Sequence, residues 1–372
     1  MFKHRMKILH VGEYAKGGIA TYLREVISYQ KQSPLIEDVY IAISGYNSEK
    51  KYPLPQENIF YYKYSRSLKN ILRAILSINN YIDKINPDII HVHSSFAGLF
   101  VRIPLFFKRK KFKVVYCSHG WSFLMDVNGL KRYFYVLIER LLSKRTDLII
   151  NISKYEYKKS LELHIPKDKS VVIYNGISNV KKASKKKGVD NFDNSKVNLL
   201  FVGRHDKQKG LDILLDFFNQ NNYMDIKLNV IGSSVLSNNS RLSTDGNVVF
   251  LGWIDNDEID EYYQSCDAVI VPSRWEGFGL VAVEAMKNKK PVIVSNRGAL
   301  PEVVNRETGY IFDLDNMNSL KKILDNINKE ELTRKGHNAY YRYCNLFTSD
   351  IMNKKIISQY IRLIESSGKH AK

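Results

Sequence analysis

The sequence has few cysteines and no long apolar run. Its three cysteines, Cys117, Cys266 and Cys344, are scattered over 372 residues. An odd, scattered set argues against a disulfide framework or a cysteine metal site, and it is typical of a reducing cytoplasm. No apolar run reaches about 18 residues, so we expect no transmembrane helix. The N-terminal stretch MFKHRMKILHV lacks an apolar region followed by a cleavage site, so we expect no signal peptide.

Two common phosphate-binding fingerprints are also missing. No G-x-G-x-x-G pattern is present, which argues against a nicotinamide or flavin enzyme of the usual kind. No G-x-x-x-x-G-K-[ST] pattern is present either, which excludes a P-loop NTPase. The chain has no internal repeat of 20–50 residues.

Acidic residues are scarce in the first half of the chain. Residues 1–200 hold 35 lysines and arginines against 16 aspartates and glutamates, whereas residues 201–372 hold 22 of each. The net charge of +19 therefore falls wholly in the first half. Such a field favours an anionic partner there: a nucleic acid, a membrane surface or a phosphorylated substrate. A merely lysine-rich composition would not leave the second half neutral.

Short apolar runs alternate with longer amphipathic segments along the chain. MKILHVG is strand-like, GGIATYLREVISYQKQ is helix-like, and the rhythm continues to VVIYNGI. It restarts with VNLLFVGR and LDILLDFFNQ. This alternation predicts an α/β protein with parallel sheets covered by helices on both faces. Continuous apolar strands such as LLFVG suit sheets that are buried on both sides.

A polar break divides this rhythm near mid-chain. The segment NVKKASKKKGVDNFDNSK is charged and almost free of apolar side chains. We read residues 181–196 as a linker between an N-terminal domain, 1–180, and a C-terminal domain, 197–348. A surface loop within one domain is the alternative. The tail over 349–372 predicts one amphipathic helix.

Glycine-bearing loops follow four of the predicted strands. In open α/β sheets, ligands bind beyond the carboxyl ends of the strands, where such loops lead into helices. The loop GRHDKQKG sets Arg204 and Lys209 beside glycines. Two cations there could hold a diphosphate by ion pairing, although an ordinary solvated loop would look the same.

The stretch RWEGFGLVAVEA places two acids around a segment that is otherwise suited to burial. Its glycines free the backbone, and a helix is predicted from Leu280. The amides of residues 278–280 would then face an anion at the helix N-terminus. Glu276 precedes the helix and Glu284 lies more than a turn inside it, so the two acids could bind hydroxyls at different ends of one ligand. The simpler interpretation is that Glu276 caps the helix and Glu284 is a paired structural acid.

The longer stretch RWEGFGLVAVEAMKNKKPVIVSNRGALPEVV closely resembles the signature of retaining glycosyltransferases of family four, which have the GT-B fold. The resemblance covers most of the chain and includes Gly17-Gly18, the strand ends HVHSS and CSHG, YNGI and the turn LGWI. It implies two Rossmann-like, doubly wound parallel-sheet domains that face a cleft, with the C-terminal helix crossing back to the N-terminal domain. Such enzymes transfer a sugar from a nucleotide diphosphate and retain its anomeric configuration.

The resemblance also implies roles for individual residues. Arg204 and Lys209 would hold the donor diphosphate. Glu276 would contact hydroxyls of the donor sugar, Glu284 would bind the ribose, and His119 would lie close to the transferred sugar. His119 and Glu276 are therefore the catalytic candidates. The remaining donor-binding candidates are Gly17, Gly18, Ile254, Gly277, Phe278, Gly279 and Leu280.

The resemblance implies no cofactor, because the UDP- or GDP-linked sugar is itself a substrate. It also implies no bound metal, because protein groups can take over the role of a metal ion. Two cations and a helix N-terminus would stabilise the charge that develops on the leaving diphosphate. We expect Glu276 to position the sugar rather than to act as a covalent nucleophile.

Three short patterns are alternative metal candidates. The triplets Asp313-Leu314-Asp315 and Asp255-Asn256-Asp257 have the D-x-D form, but we expect loop acids, with Asp255 as a helix N-cap. In His91-Val92-His93 both histidines lie on one face of a strand. We expect strand-end histidines near the site rather than a metal pair, with His93 near the acceptor.

The segment FAGLFVRIPLFFKRKKFK is apolar and then strongly basic. We expect a core helix whose basic end faces an anionic membrane. An ordinary crossover helix followed by a basic loop is the alternative. The residues of this predicted membrane and acceptor patch are Lys108, Arg109, Lys110, Lys111 and Lys113, with Arg66, Lys69 and Arg73 as a possible extension.

The resemblance and the charge asymmetry together imply a transferase of hexose-type sugars that acts in bacterial surface polysaccharide synthesis, such as O antigen or capsule. Its acceptor would be a saccharide, linked to a lipid such as a polyprenyl diphosphate. It would be cytoplasmic and peripheral on the inner face of the membrane. Two hypotheses of other classes stay open: a nucleotide-sugar epimerase of the same fold, and a basic nucleic-acid-binding protein. No recognised nucleic-acid-binding motif is present, so we expect no nucleic acid partner.

Overall fold

Two α/β units make up the chain. The structure, a computed structural model, describes residues 5–108, 110–179, 192–232, 246–255 and 257–368. One unit comprises Met1–Ser178 together with Ser349–Lys372, and the other comprises Asn179–Thr348. Most of the predicted linker, 181–196, lies outside the described residues.

A sheet of seven parallel strands is the centre of the first unit. The strands are β1 Met6–Gly12, β2 Ile36–Ser44, β3 Ile59–Tyr62, β4 Ile89–His93, β5 Lys113–Cys117, β6 Leu148–Asn151 and β7 Ser170–Val172. Their order across the sheet is β3-β2-β1-β4-β5-β6-β7. The central strands are almost wholly buried because helices cover both faces, as their continuous apolar sequences predict.

Helices connect these strands in the manner expected of a doubly wound sheet. They are α1 Gly18–Gln32, α2 Leu68–Ile85, α3 Ser95–Arg102, α4 Gly129–Ser143 and α5 Lys154–Glu162. The α2 helix ends at Ile85, and the next residue, Asn86, adopts the left-handed conformation typical of a helix terminus.

The second unit has a sheet of six parallel strands. They are β8 Val197–Val202, β9 Ile226–Ile231, β10 Val248–Gly252, β11 Ala268–Val271, β12 Val292–Ser295 and β13 Gly309–Phe312, in the order β10-β9-β8-β11-β12-β13. The helices of this unit are α6 Leu211–Gln220, α7 Ile259–Ser265, α8 Leu280–Lys287, α9 Leu300–Val303, α10 Asn318–Asp325 and α11 Lys329–Leu346.

The last helix returns to the first unit. This helix, α12 Ser349–Gly368, lies against α1. The Ser349 amide donates to the Ile177 carbonyl at 2.9 Å, and the Tyr360 hydroxyl lies 2.7 Å from Nδ1 of His91. The expected return of the C-terminal helix to the N-terminal domain is thus confirmed.

Both sheets reverse their winding at one position. In the first unit the reversal lies between β1 and β4, and in the second between β8 and β11. Loops that leave the carboxyl ends of strands at such a switch point diverge to opposite faces and open a crevice for a ligand. The two predicted doubly wound sheets are confirmed, and their switch points lie where the glycine-bearing loops begin. None of the helices described is both long enough and apolar enough to cross a membrane.

Candidate active site

The loop between β8 and α6 is held close to the end of β11. Gly210 closes this loop with a φ of +71°, and a Cβ atom there would lie 2.1 Å from the carbonyl oxygen of Pro272. A side chain at this position would collide with backbone, so only glycine fits. The predicted diphosphate loop and the segment that follows β11 are therefore neighbours at the switch point.

Lys209 and Glu276, which the sequence places 67 positions apart, form an ion pair in this region. Lys209 Nζ lies 2.7 Å from Glu276 Oε2, and the two side chains are 20% and 13% exposed. The Ser273 hydroxyl donates to the same carboxylate oxygen at 3.3 Å. The predicted phosphate cation and the predicted sugar acid are thus in direct contact. A phosphate ligand at this position would compete with the carboxylate for Lys209.

Arg204 lies at the outer side of the same loop. Its side chain is 55% exposed, and its guanidinium lies 2.9 Å from Asp206 Oδ2 and 3.3 Å from Gln208 Oε1. An exposed pair of this kind contributes little to stability, so a ligand phosphate could replace Asp206 at low cost. Asp206 also accepts from the Lys209 amide at 3.1 Å, which orders the loop.

The α8 helix begins at Leu280, as the sequence predicts. Gly279 is its N-cap, with a φ of +94°. Phe278 is buried, and its ring packs against Phe347 with 5.6 Å between centroids. Gly277 lies between this anchor and Glu276. The first amides of α8 have no partners within the helix, so the end of this eight-residue helix presents donors beside the Lys209–Glu276 pair.

Gly298 fixes the backbone of Glu276 and was missed by the sequence analysis. Its φ is +58°, and a Cβ atom would lie 2.1 Å from the Glu276 carbonyl oxygen. The next amide, of Ala299, donates to that oxygen at 3.0 Å. The glycine in the segment NRGALPE was the available signal, but nothing in the sequence placed it against Glu276.

Glu284 lies deeper in α8 and is held by a tyrosine. The buried Tyr263 hydroxyl donates to Glu284 Oε2 at 2.7 Å. Burial raises the pKa of Glu284, and the hydrogen bond from Tyr263 opposes that rise. Among the described residues none donates to Oε1, so this oxygen can accept from a ligand hydroxyl. The residue is therefore paired, as the simpler interpretation states, and still suited to the ribose role.

The turn LGWI is tied to the same loop system. The Gly232 amide donates to the Gly252 carbonyl at 2.8 Å, and a Cβ atom on Gly232 would lie 1.8 Å from the Gly203 carbonyl oxygen. Ile254 is half-buried just beyond this turn, beside the exposed ring of Trp253. The predicted base-binding residue thus lies near the start of the diphosphate loop.

Three acids of the D-x-D triplets contact nearby side chains. Asp313 Oδ1 accepts from Asn296 Nδ2 at 2.8 Å, and Asp315 pairs with Arg297. Helix α7 begins at Ile259 with Glu258 as its N-cap residue, so the predicted N-cap role of Asp255 is wrong. The chain makes one further turn after Asp255, and its carboxylate instead accepts from Trp253 Nε1 at 3.3 Å.

In the first unit, Gly17 and Gly18 open α1 directly beyond β1. Gly17 is the N-cap, with a φ of +60° and open space around its Cα, and its amide donates to Glu49 Oε1 at 3.0 Å. Open space beside a glycine at a helix N-terminus is suited to the close approach of a ligand.

His119 follows β5 and connects to buried histidines. Its Nε2 lies 2.9 Å from His93 Nδ1, and His93 Nε2 lies 2.9 Å from His10 Nδ1. Burial lowers the pKa of His119 to about 3 and that of His10 to about 4, and it holds the pKa of His93 well below its usual range. The predicted sugar histidine is neutral at physiological pH and partly exposed, whereas His93, predicted to touch the acceptor, is fully buried behind it.

Acids lie close to several cations of the predicted basic patch. Lys110 pairs with Asp147, Lys113 lies 3.8 Å from the same carboxylate, and Lys108 lies 3.9 Å from Asp83. Lys111 is exposed, and Arg109 lies outside the described residues. Arg66, from the possible extension, pairs with the buried Glu13 at 3.0 Å.

Two family models match the chain, one for each unit. The model described as Glycosyltransferase Family 4 matches residues 16–179, and the model described as Glycosyl transferases group 1 matches residues 182–342. Together they span nearly the whole length outside the last helix.

Curated relatives are similar over most of the chain. An uncharacterized 41.2 kDa protein in the cps region of Klebsiella pneumoniae is 35% identical, over 97% of this chain and 100% of its own length. The capsular polysaccharide biosynthesis glycosyltransferase CapM of Staphylococcus aureus is 27% identical, over 98% and 99%. A UDP-Gal:alpha-D-GlcNAc-diphosphoundecaprenol alpha-1,3-galactosyltransferase of Escherichia coli is 25% identical, over 72% and 73%.

Solved structures share the fold at low sequence identity. Sucrose-phosphate synthase from Thermosynechococcus elongatus has a TM-score of 0.81 at 20% identity, over 97% of this chain and 100% of that chain. Anabaena Alr3699/HepE, solved with UDP and glucose, has a TM-score of 0.78 at 19% identity, over 95% and 99%. At these identities the likeness establishes the GT-B architecture alone.

Proposed function

The chain belongs to glycosyltransferase family 4, and we propose that it is a retaining transferase of hexose-type sugars that uses a nucleotide diphosphate sugar, UDP- or GDP-linked. The observation that carries this proposal is the contact of Lys209 with Glu276 beside the N-terminus of α8, with Glu284 one turn further along. The sugar acid and the ribose acid thus lie on either side of the helix N-terminus and its neighbouring cation, as the sugar and the ribose flank the diphosphate of a nucleotide sugar.

The chemistry follows from these charges. The bond between the anomeric carbon and the phosphate oxygen breaks, and a bond from the acceptor hydroxyl to the same face of the carbon forms. The hydroxyl proton passes to the departing phosphate oxygen, which balances the step. Lys209, Arg204 and the α8 amides stabilise the charge on the leaving diphosphate, which is the largest catalytic contribution in sites of this type. Glu276, once released from Lys209, orients the sugar hydroxyls.

Nucleotide binding tests this proposal most directly. We expect one among UDP, GDP, ADP, CMP and dTDP sugars to raise the thermal midpoint of the protein in EDTA. At 100 times its dissociation constant the ligand would stabilise the folded state by about 2.7 kcal/mol. Glu284→Ala and Arg204→Ala should abolish the shift, and the matched change of the exposed Glu307 to alanine should preserve it. If no nucleotide shifts the wild type, the donor site is wrongly assigned.

The acceptor is proposed to be a lipid-linked saccharide, in bacterial capsule or O-antigen synthesis. The names of relatives support this setting, since one acts in capsule synthesis and another on a diphosphoundecaprenol-linked sugar. The structure adds an exposed apolar stripe on α4. Its side chains recur every three or four positions on the face opposite the buried one: Leu130, Tyr133, Phe134, Leu137, Ile138 and Leu141.

The charges on α4 favour an anionic lipid surface as the occupant of this stripe. Glu139, the single acid of the helix, is buried against Arg102, so the exposed charges on and just after α4 are all positive. Two copies of such a face would repel one another, whereas anionic head groups complement it. We therefore place the membrane contact on α4 rather than on the paired lysines of the 108–113 loop. The exposed cations are Lys131, Arg132, Arg140 and Lys144.

Vesicle binding distinguishes the α4 stripe from other exposed leucines. The double variant Leu137→Ser/Leu141→Ser should reduce partitioning onto phosphatidylglycerol vesicles at least about tenfold, since two apolar side chains no longer insert. Leu72→Ser/Leu76→Ser on α2 has the same spacing and similar exposure and is the matched control. An equal loss in both variants, or no dependence on salt and anionic lipid, would contradict the assignment.

A further inference from the structure

A continuous line of hydrogen bonds connects a buried glutamine on α1 to His119. Gln30 Oε1 lies 2.9 Å from His10 Nε2, His10 Nδ1 lies 2.9 Å from His93 Nε2, and His93 Nδ1 lies 2.9 Å from His119 Nε2. Gln30, His10 and His93 are completely buried. Of the four side chains only His119 is partly exposed, and its Nδ1 has no partner among the described residues.

This line has one direction of donation. Each histidine is neutral because burial lowers its pKa, so each ring has one N–H and one accepting nitrogen. The carbonyl oxygen of Gln30 can only accept, which requires a proton on His10 Nε2. His10 Nδ1 must then accept from His93 Nε2, and His93 Nδ1 must accept from His119 Nε2. The proton of His119 is thereby fixed on Nε2, and Nδ1 keeps its lone pair.

We propose that Gln30 sets His119 as a hydrogen-bond acceptor for a hydroxyl of the transferred sugar, through His10 and His93. Gln30, His10 and His93 are positioning residues in this scheme. The sugar contact of His119 rests on the proposed function, whereas the direction of the line does not. A lone pair accepts from a hydroxyl and repels a carboxylate. The site therefore favours a sugar with a hydroxyl at this position over a uronic acid or a deoxy sugar.

The orientation of a single amide decides the direction. If the Gln30 amide were reversed, its Nε2 would donate to His10 and each proton would move to the other ring nitrogen. His119 Nδ1 would then become a donor. Gln30 Nε2 makes no well-formed hydrogen bond among the described residues, but the Gln30 side chain interacts with the Tyr360 hydroxyl and opposes the rise in the pKa of Tyr360 that burial causes. The bond to His10 is the contact through which Gln30 acts on this line.

A metal ion is the rival occupant of the same nitrogens. His10, His91 and His93 have ring nitrogens within 4.8 Å of one another, and His91 Nε2 is buried without a partner. Two nitrogen ligands of a tetrahedral zinc ion, each about 2.0–2.1 Å from the metal, are roughly 3.3 Å apart. The 2.9 Å between His10 and His93 is instead a hydrogen-bond distance, and three ligands fall short of a structural zinc site. The geometry thus favours a shared proton.

Nitrogen NMR of the full chain with ¹⁵N-labelled histidine tests the direction without any substrate. We expect His10, His93 and His119 all to be protonated on Nε2. Gln30→Met should remove this bias and give His119 a mixture of tautomers. Tyr62→Phe, which removes a buried hydroxyl that donates to the Gly12 carbonyl at 2.6 Å and not to this line, should leave the three assignments unchanged. A proton on His119 Nδ1 in the wild type, or no change in Gln30→Met, would refute the proposal.

Two further readouts complete the test. One equivalent of zinc that survives dialysis of the wild type and is absent from His91→Asn would also contradict the proposed line of hydrogen bonds.

With the donor identified, Gln30→Met should lower kcat about tenfold, the effect of one hydrogen bond, with little change in KM for the acceptor. Gln30→Glu retains an accepting oxygen and should restore kcat; equal losses in both variants would indicate a packing role instead. If the proposed function is wrong, the transfer assay will show no turnover at all, whereas the NMR measurement will still report the histidine tautomers.

Discussion

Lys209→Met should lower kcat/KM about 10³-fold while the protein stays folded. Lys209 is the most buried cation of the diphosphate loop and lies 2.7 Å from Glu276. Loss of a preorganised positive group at a leaving phosphate costs about 10²–10³-fold or more in comparable sites. Methionine keeps the length and most of the apolar stem, so the measurement, steady-state transfer with the identified donor, reports the charge.

Lys207→Met is the matched control for this experiment. Lys207 lies two positions away in the same loop and is exposed. We expect its kinetics to remain within about twofold of the wild type. The pair Lys209→Met/Glu276→Gln then measures coupling. If the two residues act on the same diphosphate sugar, the double variant should lose far less than the product of the single losses. Equal losses of kcat/KM in Lys207→Met and Lys209→Met would show that activity depends on the total charge of the loop rather than on the contact of Lys209 with Glu276.

Arg102→Met should cost about 3–5 kcal/mol of folding free energy in the first unit. Arg102 is completely buried, and its guanidinium lies 2.9 Å from Glu139 and 3.8 Å from the centre of the Tyr116 ring. Removing one partner leaves the Glu139 carboxylate buried without its counter-charge, which is far more costly than losing an exposed pair. Roughly 2–4 °C per kcal/mol in a unit of this size predicts a fall in the thermal midpoint of about 10 °C.

The double variant Arg102→Met/Glu139→Met separates burial of a charge from loss of packing. Replacement of both partners by apolar side chains is often neutral, so we expect much of the stability to return. The Tyr116 hydroxyl, which donates to Glu139 Oε1 at 2.8 Å, would lose its partner and limit the recovery. A double variant as unstable as Arg102→Met would show that Arg102 stabilises the unit by its packing rather than by its ion pair with Glu139. Arg132→Met on the exposed side of α4 is the control and should leave the midpoint unchanged.

Much of the fold could be predicted because its signals are local. Apolar strands, amphipathic helices and the glycines before Leu280 each act within a few residues, and α8 begins where they indicate. The four-residue strand β3 was missed because IFYY is too short to show a period. Helices α10 and α11 were likewise not predicted, although α10 is strongly amphipathic.

Contacts between distant segments could not be predicted from patterns. Lys209 meets Glu276 because β8 and β11 are adjacent in the sheet, which depends on strand order rather than on spacing. His10 meets the histidines of β4 for the same reason, since His10 and His91 are partners across β1 and β4. The pair of Arg102 and Glu139 was not predicted either, since the segment that contains Arg102 was interpreted only as a core helix.

The return of α12 to the first unit constrains how the protein is made. Tyr360 contacts His91 across 269 positions of sequence, so the N-terminal unit cannot close until the ribosome has finished the other unit. At a synthesis rate of about 5–20 residues per second, roughly 15–50 s pass between the synthesis of His91 and that of Tyr360. During that interval the side of α1 that α12 will cover is open to chaperones and proteases. A premature stop codon near position 348 would therefore release an intact second unit attached to an unfinished first unit.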